Sequence, residues 1–321
     1  MTHFYAFNGD ADGICALQQL MLTRTVVDIQ LVTGVKRDIS LLKRIQAMPN
    51  DLVTVLDISL DKNKQDLLRL LDSGIKIDYF DHHFAGDIPQ HVKLTANIDT
   101  QPDTCTSLIV NKYLENKHWL WAATGAFGDN FDQSALQLIH HHDNTLDAEK
   151  TSRLKKLGIY MNYNAYGAEI SDLHIAPEDL FQQIKPYTDP LDFVAENATY
   201  KTLEKGYQED IEKASALTAE NISDKRALYI LPAKPWARRV SGVFANALAQ
   251  KNPSRAHALL TKSDDGGYLV SVRAPLSKKE GADTLCRQFD TGGGRKAAAG
   301  INNLPEASLS LFIDAFNAAY P

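Results

Sequence analysis

The segment His3–Gly13, with the sequence HFYAFNGDADG, joins an apolar run to a short turn that carries two carboxylates. The run His3–Phe7 predicts a buried strand, and the spacing of apolar residues over Gly13–Leu22 predicts a helix soon after the turn. A strand that passes into a helix through a short turn is typical of a parallel α/β sheet. The segment therefore predicts the fold class and also a place for a charged site.

The alternation of strand and helix continues along the first part of the chain. Apolar runs predict further strands at Ile29–Val35, Asp51–Leu56 and Ile75–Phe80. Helical spacing predicts helices at Ile39–Met48 and Lys62–Ser73. We therefore predict an α/β fold with a mostly parallel sheet and helices on both faces.

The rest of the chain predicts a second, smaller α/β domain. Residues 103–190 have a largely helical pattern, and the polar segment Asn197–Asn221 has the spacing of a connecting helix. Strand-like and helical runs alternate again from Ala227. We predict three parts: a first α/β domain at 1–195, a connecting helix at 196–225 and a second, smaller α/β domain at 226–321.

Charge is distributed unevenly between these parts. The net charge is −12 over residues 1–225 and +6 over residues 226–321. An acidic part suits a bound cation, and a basic part suits an anionic substrate such as a phosphate or a nucleic acid. Ordinary variation between domains is the alternative interpretation.

Composition excludes several classes of protein. No run approaches the roughly 18 apolar residues of a membrane span, and no basic segment precedes the first apolar run, which argues against a signal peptide. The three cysteines are scattered without metal-ligand spacing. We therefore expect buried thiols in the reducing cytoplasm and no association with a membrane.

Acidic and imidazole side chains follow several predicted strands. Asp10 and Asp12 follow the first strand, Asp57 follows the third, and the tripeptide Asp81-His82-His83 follows the fourth. Ligands of such sheets bind beyond the carboxyl ends of the strands, so these groups should meet at one edge. Carboxylates this close repel one another unless a cation neutralises them. Carboxylate and imidazole ligands suit Mn²⁺, Mg²⁺ or Zn²⁺.

Simpler interpretations of these motifs stay open. The segment Asn8–Gly13 matches the start of a calcium loop, but Gln19 stands where the bidentate Glu is needed and a strand enters it instead of a helix. Asp12 could also be the N-cap of the following helix, and Asp57 a simple cap after its strand. Consecutive histidines at 140–142 point about 100° apart on a helix, which favours a helix-end patch over a metal site.

Near the C-terminus, Thr291–Lys296 reads TGGGRK. Three glycines allow a close approach to a ligand, and backbone amides can bind phosphate. Arg295 and Lys296 add positive charge, and Arg273 at the end of a predicted strand is a second phosphate-binding candidate. A flexible turn is the alternative interpretation.

Taken in order, these motifs resemble those of the DHH/DHHA1 phosphoesterases over essentially the whole chain. The matching features are the D-x-D-G turn, Asp57, the D-H-H tripeptide, Asp129 after Gly128, and the glycine-rich segment. The resemblance implies a DHH domain that holds two Mn²⁺ ions, with Mg²⁺ or another divalent ion as a substitute, and a DHHA1 domain that binds the nucleotide.

The resemblance also implies a role for each matching residue. Asp10, Asp12 and Asp129 would be metal ligands, Asp57 would bridge the two ions, and His82 would bind one of them. His83 would lie beside these ligands or touch the substrate, so that Asp57, His82 and His83 form the catalytic group. The implied substrate-binding residues are Arg273, Gly292, Gly293, Gly294, Arg295 and Lys296.

The chain departs from the family pattern at two places. Exonuclease-type members have an Asp where this chain has Asn8, which can offer only a neutral carbonyl oxygen to a metal. Nano-RNase-type members have a His at the position of Ala6. The usual G-G-G-H motif is G-G-G-R here, with Arg295 in place of His.

We therefore predict a two-metal phosphoesterase that acts on short oligonucleotides, linear dinucleotides or pAp. One alternative is a RecJ-type exonuclease that acts on longer single strands. Another is a non-catalytic nucleotide-binding protein, which Asn8 favours. A homodimer is a further expectation.

Overall fold

Two sheets, one in each part of the chain, organise the fold. The computed structural model describes residues 1–25 and 27–321, which divide into two compact units, Met1–Lys205 and Gly206–Pro321. The predicted domain limits at 195 and 226 flank this boundary, which falls inside a helix.

Among residues 1–25 and 27–205, the first unit has a five-stranded parallel sheet in the order β2-β1-β3-β4-β5. Its strands are β1 (His3–Phe7), β2 (Ile29–Val32), β3 (Leu52–Leu56), β4 (Lys76–Asp81) and β5 (Leu94–Ile98). Its helices are α1 (Ala11–Thr23), α2 (Leu60–Asp72), α3 (Thr106–Tyr113), α4 (Trp119–Gly128), α5 (Asp132–His142), α6 (Ala148–Asn164), α7 (Pro177–Ile184) and α8 (Pro190–Glu196). Helix α9 (Ala198–Ser215) continues into the second unit.

The central strands of this sheet are buried. Every residue of β1 is buried, as expected for a parallel strand that is covered on both faces. Alternate residues of β3 and β4, such as Val55 and Tyr79, pack against Leu67 and Leu71 of α2. The strand ends are therefore fixed rigidly, which is what a precise site at their carboxyl edge needs.

Small residues hold α4 close to its neighbours. A side chain at Gly128 would lie 2.3 Å from Cβ of Ala11 in α1 and 2.9 Å from the carbonyl oxygen of Gly158 in α6. This contact is too close for any larger residue. It fixes the end of α4, and with it Asp129, against the turn that follows β1.

The predicted helix at Ile39–Met48 is wrong. Only a short 3₁₀ turn, Leu42–Arg44, forms there. Side chains of α2 take the place of helical backbone bonds: the Asn63 amide donates to the Ile39 carbonyl (2.7 Å), and the Arg69 guanidinium donates to the Leu42 carbonyl (3.0 Å). With these groups satisfied, the segment covers the core without being helical.

Two further differences from the prediction concern one strand end and one additional strand. The strand predicted at Ile29–Val35 ends at Val32. Strand β5, at the edge of the sheet, was not predicted because its residues are partly exposed and lack a continuous apolar run.

The second unit has a mixed six-stranded sheet in the order β10-β11-β9-β8-β7-β6. Only β7 and β8 are parallel among its described strand pairs. Its strands are β6 (Asn221–Ile222), β7 (Arg226–Leu231), β8 (Ala256–Lys262), β9 (Tyr268–Arg273), β10 (Gly292–Arg295) and β11 (Ala298–Leu304). Its other helices are α10 (Pro235–Lys251), α11 (Ala282–Cys286) and α12 (Leu309–Ala319).

Two sequence expectations about composition can be compared with this fold. Over the described residues, no helix combines the length and the apolar character that crossing a bilayer would need. The three cysteines are free and buried.

A buried histidine makes the stability of the second unit sensitive to acid. His257 in β8 is fully buried, and burial together with the nearby Arg255 charge lowers its pKa to about 4. The unfolded chain binds a proton near pH 6.5. Stability contributed by neutral His257 is therefore complete above that pH and is lost as the pH falls toward about 4.

We expect His257→Leu to reduce the loss of unfolding free energy between pH 7 and pH 4.5, because this variant has no buried group to protonate. Urea unfolding at a series of pH values measures the slope of the unfolding free energy against pH. The control His91→Leu, at an exposed histidine, should keep the wild-type slope. An unchanged slope in His257→Leu would contradict the prediction.

Candidate metal centre

The three central strands of the first sheet end in register. Phe7 pairs with Leu56, and Leu56 pairs with Phe80. The next residues of β1 and β3, and the last residue of β4, therefore lie side by side at the carboxyl edge: Asn8, Asp57 and Asp81. This is the arrangement predicted from the strand ends.

Asp10 and Asp12 lie where β1 passes into α1. Asp10 is the N-cap of α1, since its Oδ1 accepts hydrogen bonds from the amides of Asp12 and Gly13, each at 3.1 Å. The alternative that made Asp12 the cap is therefore wrong. Asp12 instead accepts from the amides of Thr106 and Ser107 at the start of α3, each at 2.7 Å.

Asp57 has an unusual backbone. Its φ is +59°, in the left-handed region that Asp tolerates better than most residues. Its side chain is almost fully buried and accepts a hydrogen bond from the Thr106 hydroxyl at 3.1 Å. Conformations of this kind are concentrated at functional sites, because the surrounding structure must hold them.

His82 is the clearest indication of a cation. Its Nδ1 lies 3.2 Å from the Thr104 carbonyl, which can only accept, so Nδ1 carries the proton and Nε2 has the lone pair. Nε2 lies 3.4 Å from a carboxylate oxygen of Asp57 and 3.6 Å from one of Asp129. It is buried and has no hydrogen-bond partner among the residues that the structure describes. A buried lone pair that faces carboxylates is unfavourable unless a cation lies between them.

Two overlapping groups have the spacing of a metal site. Ligand atoms of Asp12, His82 and Asp129 lie within 4.8 Å of one another, and so do those of Asp57, His82 and His83. His82 belongs to both groups, and its Nε2, which has no hydrogen-bond partner among the described residues, faces Asp57 and Asp129. Carboxylate and imidazole ligands fit Mn²⁺ or Zn²⁺, so these residues fit the predicted ion.

Lys36 is a residue of this site that sequence reasoning missed. Its ammonium lies between the Asp10 carboxylate, with which it forms a very short ion pair, Asp129 at 3.0 Å and the Asn162 side-chain oxygen at 2.8 Å. It also lies 5.5 Å from the centre of the Tyr166 ring. A signal was present, because Lys36 follows a predicted strand of the same parallel sheet and so faces the same edge.

The charges at this edge affect one another strongly. Burial raises the pKa of Asp57 well above its usual value, and the neighbouring carboxylates raise it further. Burial and the Asp129 charge also raise the pKa of Asp12. Burial opposes ionisation of Asp129 as well, but the charge of Lys36 and its hydrogen bond hold the pKa of Asp129 below the usual value. The site thus has more negative charge than Lys36 alone can neutralise.

His83 lies at the exposed side of the site. Its side chain is 42% exposed, and its Nδ1 lies 2.7 Å from the Asp81 carboxylate. Burial alone would lower the pKa of His83, but this hydrogen bond and the Asp81 charge raise it. Asp81 therefore orients the ring and favours its protonated form.

The side chain of Asn8 makes a hydrogen bond to the backbone of a neighbouring residue of the site. Its side-chain amide donates to the Lys36 carbonyl at 3.3 Å. The Asn8 Oδ1 is buried and has no hydrogen-bond partner in the described part of the chain. Its predicted role as a neutral metal ligand stays a prediction.

The predicted substrate residues lie in the second unit. The Arg273 guanidinium, at the end of β9, donates to the Asn246 side chain at 2.7 Å and to the Val272 carbonyl at 3.1 Å. It is therefore held in place within its own unit. Its predicted contact with substrate phosphate stays a prediction.

The glycine-rich segment is a strand where a loop was expected. Gly292, Gly293, Gly294 and Arg295 form β10, which pairs antiparallel with β11. A side chain at Gly292 would lie 1.7 Å from the Cys286 carbonyl oxygen, and Gly294 has a φ of +138°, whereas Gly293 faces open space. At Gly292 and Gly294, the local structure therefore requires glycine. Among the described residues, β10 lies at the edge of its sheet, with a neighbouring strand on one side only. Its predicted contact with a phosphate stays a prediction.

Several solved structures match this chain over its whole length at the level of the fold, and the predicted fold class is confirmed. No family model and no curated protein sequence matches the chain. A structure of the exonuclease RecJ bound to manganese has a TM-score of 0.63 and 16% identity, with 100% of this chain and 91% of that chain covered.

Two other structures extend this comparison. RecJ from Thermus thermophilus in complex with Mn²⁺ has a TM-score of 0.66 and 17% identity; all of this chain is covered, but only 52% of that chain, so this chain spans about half its length. PggH from Vibrio cholerae, a pGpG-specific phosphodiesterase, has a TM-score of 0.54 and 11% identity, with 99% of each chain covered.

Replacing one buried carboxylate tests the electrostatics of this site. We expect Asp57→Asn to unfold about 2–4 °C higher than the wild type in EDTA, since it removes repulsion worth ~1 kcal/mol and since Asn also tolerates the left-handed backbone. The rise in melting temperature on adding Mn²⁺ should be smaller in this variant. Thermal denaturation with EDTA and with Mn²⁺ measures both effects.

Asp87→Asn, at a fully exposed carboxylate, is the matched control and should behave as the wild type in both conditions. An undiminished Mn²⁺ effect in Asp57→Asn would show that this carboxylate does not bind the ion.

Proposed function

We propose that the chain is a divalent-metal-dependent phosphoesterase that acts on short oligonucleotides, linear dinucleotides or pAp. One observation carries the proposal: Asp12, Asp57, His82 and Asp129 converge at a sheet edge around an unpartnered buried imidazole nitrogen. The similarity in fold to RecJ and to the pGpG phosphodiesterase PggH supports the reaction class. The location in the cytoplasm and the homodimer stay predictions.

The four converging residues would hold the ion. When bound there, a divalent ion would supply Lewis acidity to a phosphoryl oxygen. The sequence prediction is for two Mn²⁺ ions, and solved structures of RecJ contain manganese or magnesium. A second ion would have to share Asp57 and bind Asp10, whose carboxylate is paired with Lys36.

The protein's own groups have distinct tasks in this proposal. The α3 amides hold the Asp12 carboxylate, and the Thr104 carbonyl fixes the ring of His82. His83, oriented by Asp81 and half exposed, can donate a proton from Nε2 to a phosphoryl oxygen or to a leaving oxygen. Each of these groups is positioned before substrate binds, which favours catalysis.

The second unit would bind the nucleotide. Arg295 and Lys296 are exposed at the end of the edge strand β10. Lys296 also lines a cavity of about 740 Å³, together with Lys278, Gly281 and Tyr320. The positive charge of Arg295 and Lys296 suits an anionic phosphate.

The first test is a panel of substrates with Mn²⁺. We expect release of mononucleotide or phosphate from at least one of pAp, a linear dinucleotide or a short single strand. Asp57→Ala should lose at least 100-fold in rate, because the converging carboxylates are incomplete without it, and Asp87→Asn should keep full activity. If the wild type binds Mn²⁺ and yet leaves every substrate intact, the enzymatic proposal fails.

Chain length separates the two candidate substrate classes. The fold of RecJ covers this whole chain, which favours longer single strands as the second candidate. A series from a dinucleotide to about 20 nucleotides should give the highest kcat/KM at the short end if the first proposal holds. A steady rise with length would favour the exonuclease alternative.

A third experiment tests the second unit. We expect Arg295→Ala to raise KM about 5–10-fold with kcat changed less than about 3-fold, because a lost charge-assisted contact to phosphate costs ~1 kcal/mol in binding. Arg287→Ala, also at an exposed arginine of this unit, should leave both constants unchanged. If Arg295→Ala and Arg287→Ala have the same kcat and KM, Arg295 does not contribute to substrate binding.

A further inference from the structure

Lys36 occupies the part of the metal centre where a second ion is predicted. The resemblance makes Asp10 a metal ligand and Asp57 the bridge between two ions, but the Asp10 carboxylate is paired with Lys36. We propose that the Lys36 ammonium permanently takes the place of the second ion, so that the chain binds one divalent cation, at Asp12, Asp57, His82 and Asp129. The inference rests on the proposed function, whose metal site it makes more specific.

The ammonium is fully coordinated by the protein. It has three N–H donors, and three oxygens surround it, from Asp10, Asp129 and Asn162. Two of these are carboxylates, and the third comes from helix α6. An ammonium with three satisfied donors in a half-buried position is a built part of the structure.

Asp10 has little capacity left for an ion. Its Oδ2 is paired with Lys36, and its Oδ1 accepts two backbone hydrogen bonds at the start of α1. It belongs to neither group of residues with metal-ligand spacing in the described part of the chain. Asp10 therefore holds the lysine and caps the helix.

The substitution at Asn8 matches the presence of Lys36 in two ways. An ammonium has one positive charge fewer than a divalent ion, and Asn8 has one negative charge fewer than the aspartate of related exonucleases, so the local net charge is the same. The Asn8 amide also donates to the Lys36 carbonyl at 3.3 Å, which a carboxylate could not do. The neutral side chain of Asn8 thus matches the lower charge of an ammonium relative to a divalent ion. Its hydrogen bond also helps to hold the backbone of Lys36.

The backbone of Lys36 is held from a second side as well. Its amide donates to the Ala165 carbonyl, just after α6, at 2.9 Å. The lysine is therefore fixed between the turn after β1 and the end of α6. On the other side of the centre, the Nε2 of His82 has no hydrogen-bond partner among the described residues and faces the carboxylates of Asp57 and Asp129.

Counting bound ions tests the inference without reference to activity. The purified full chain is loaded with Mn²⁺, and stoichiometry is measured by calorimetry and by elemental analysis, with electron paramagnetic resonance as a check for coupled pairs of ions. We expect one Mn²⁺ per wild-type chain and no exchange-coupled signal. The double variant Asn8→Asp, Lys36→Ala should bind two, because it restores the carboxylate and frees Asp10.

Lys155→Met is the matched control. Lys155 also forms an ion pair in the first unit, with Asp132, but lies outside the centre. This variant should still bind one ion. If the double variant does not fold, Asp10→Asn in the wild-type background gives the same information: it should still bind one Mn²⁺, with affinity within about 3-fold of the wild type.

The outcomes separate this inference from the proposed function. Two ions in the wild type, a single ion in a folded double variant, or loss of an ion in Asp10→Asn would overturn the role of Lys36 and leave the phosphoesterase proposal intact. A wild type that binds no Mn²⁺ would overturn both. One ion in the wild type and two in the double variant would establish that the lysine substitutes for a metal.

Discussion

The central constraint on this structure is the mutual repulsion of carboxylates at one edge of a buried parallel sheet, which the rest of the first unit must offset. Asp10, Asp12, Asp57 and Asp129 are brought together by strands and helices whose apolar faces are buried for other reasons. Repulsion of this kind costs stability unless positive charge or hydrogen-bond donors offset it. Much of the detail of the first unit can be understood as a set of such donors: the α3 amides, the Lys36 ammonium and the Thr106 hydroxyl.

These partners do not neutralise the site evenly. On the side of Asp10, an ammonium with three oxygen acceptors neutralises the carboxylates, and Asn8 adds no further negative charge. On the side of His82, an imidazole lone pair faces the carboxylates of Asp57 and Asp129, and no lysine or arginine among the described residues forms an ion pair with Asp57. The asymmetry is the physical basis for placing a single divalent ion there. It also gives Asn8, which first looked like a weakened metal ligand, a positive structural role.

Much of this arrangement was accessible from the sequence. Apolar runs predicted β1, β3 and β4, and the residues after these strands predicted the site, because parallel strands end at a common edge. The prediction failed where side chains from elsewhere replaced local backbone bonds, as Asn63 and Arg69 do for the segment that was predicted as a helix. It also failed for TGGGRK, where glycine suited a flexible loop and an edge strand equally well.

The sequence by itself determined the α/β fold class, the order of the motifs and the identity of the carboxylates and imidazoles at the sheet edge. These features follow from local periodicity and from the residue that comes directly after each strand. Only the tertiary structure decided how the charges are paired. Lys36 and Asn162 are far apart in the chain. No local pattern therefore shows that the Lys36 ammonium donates to Asn162 and pairs with Asp10. The balance of charge at the HFYAFNGDADG turn is therefore a property of the folded chain, because it depends on residues that only packing brings together.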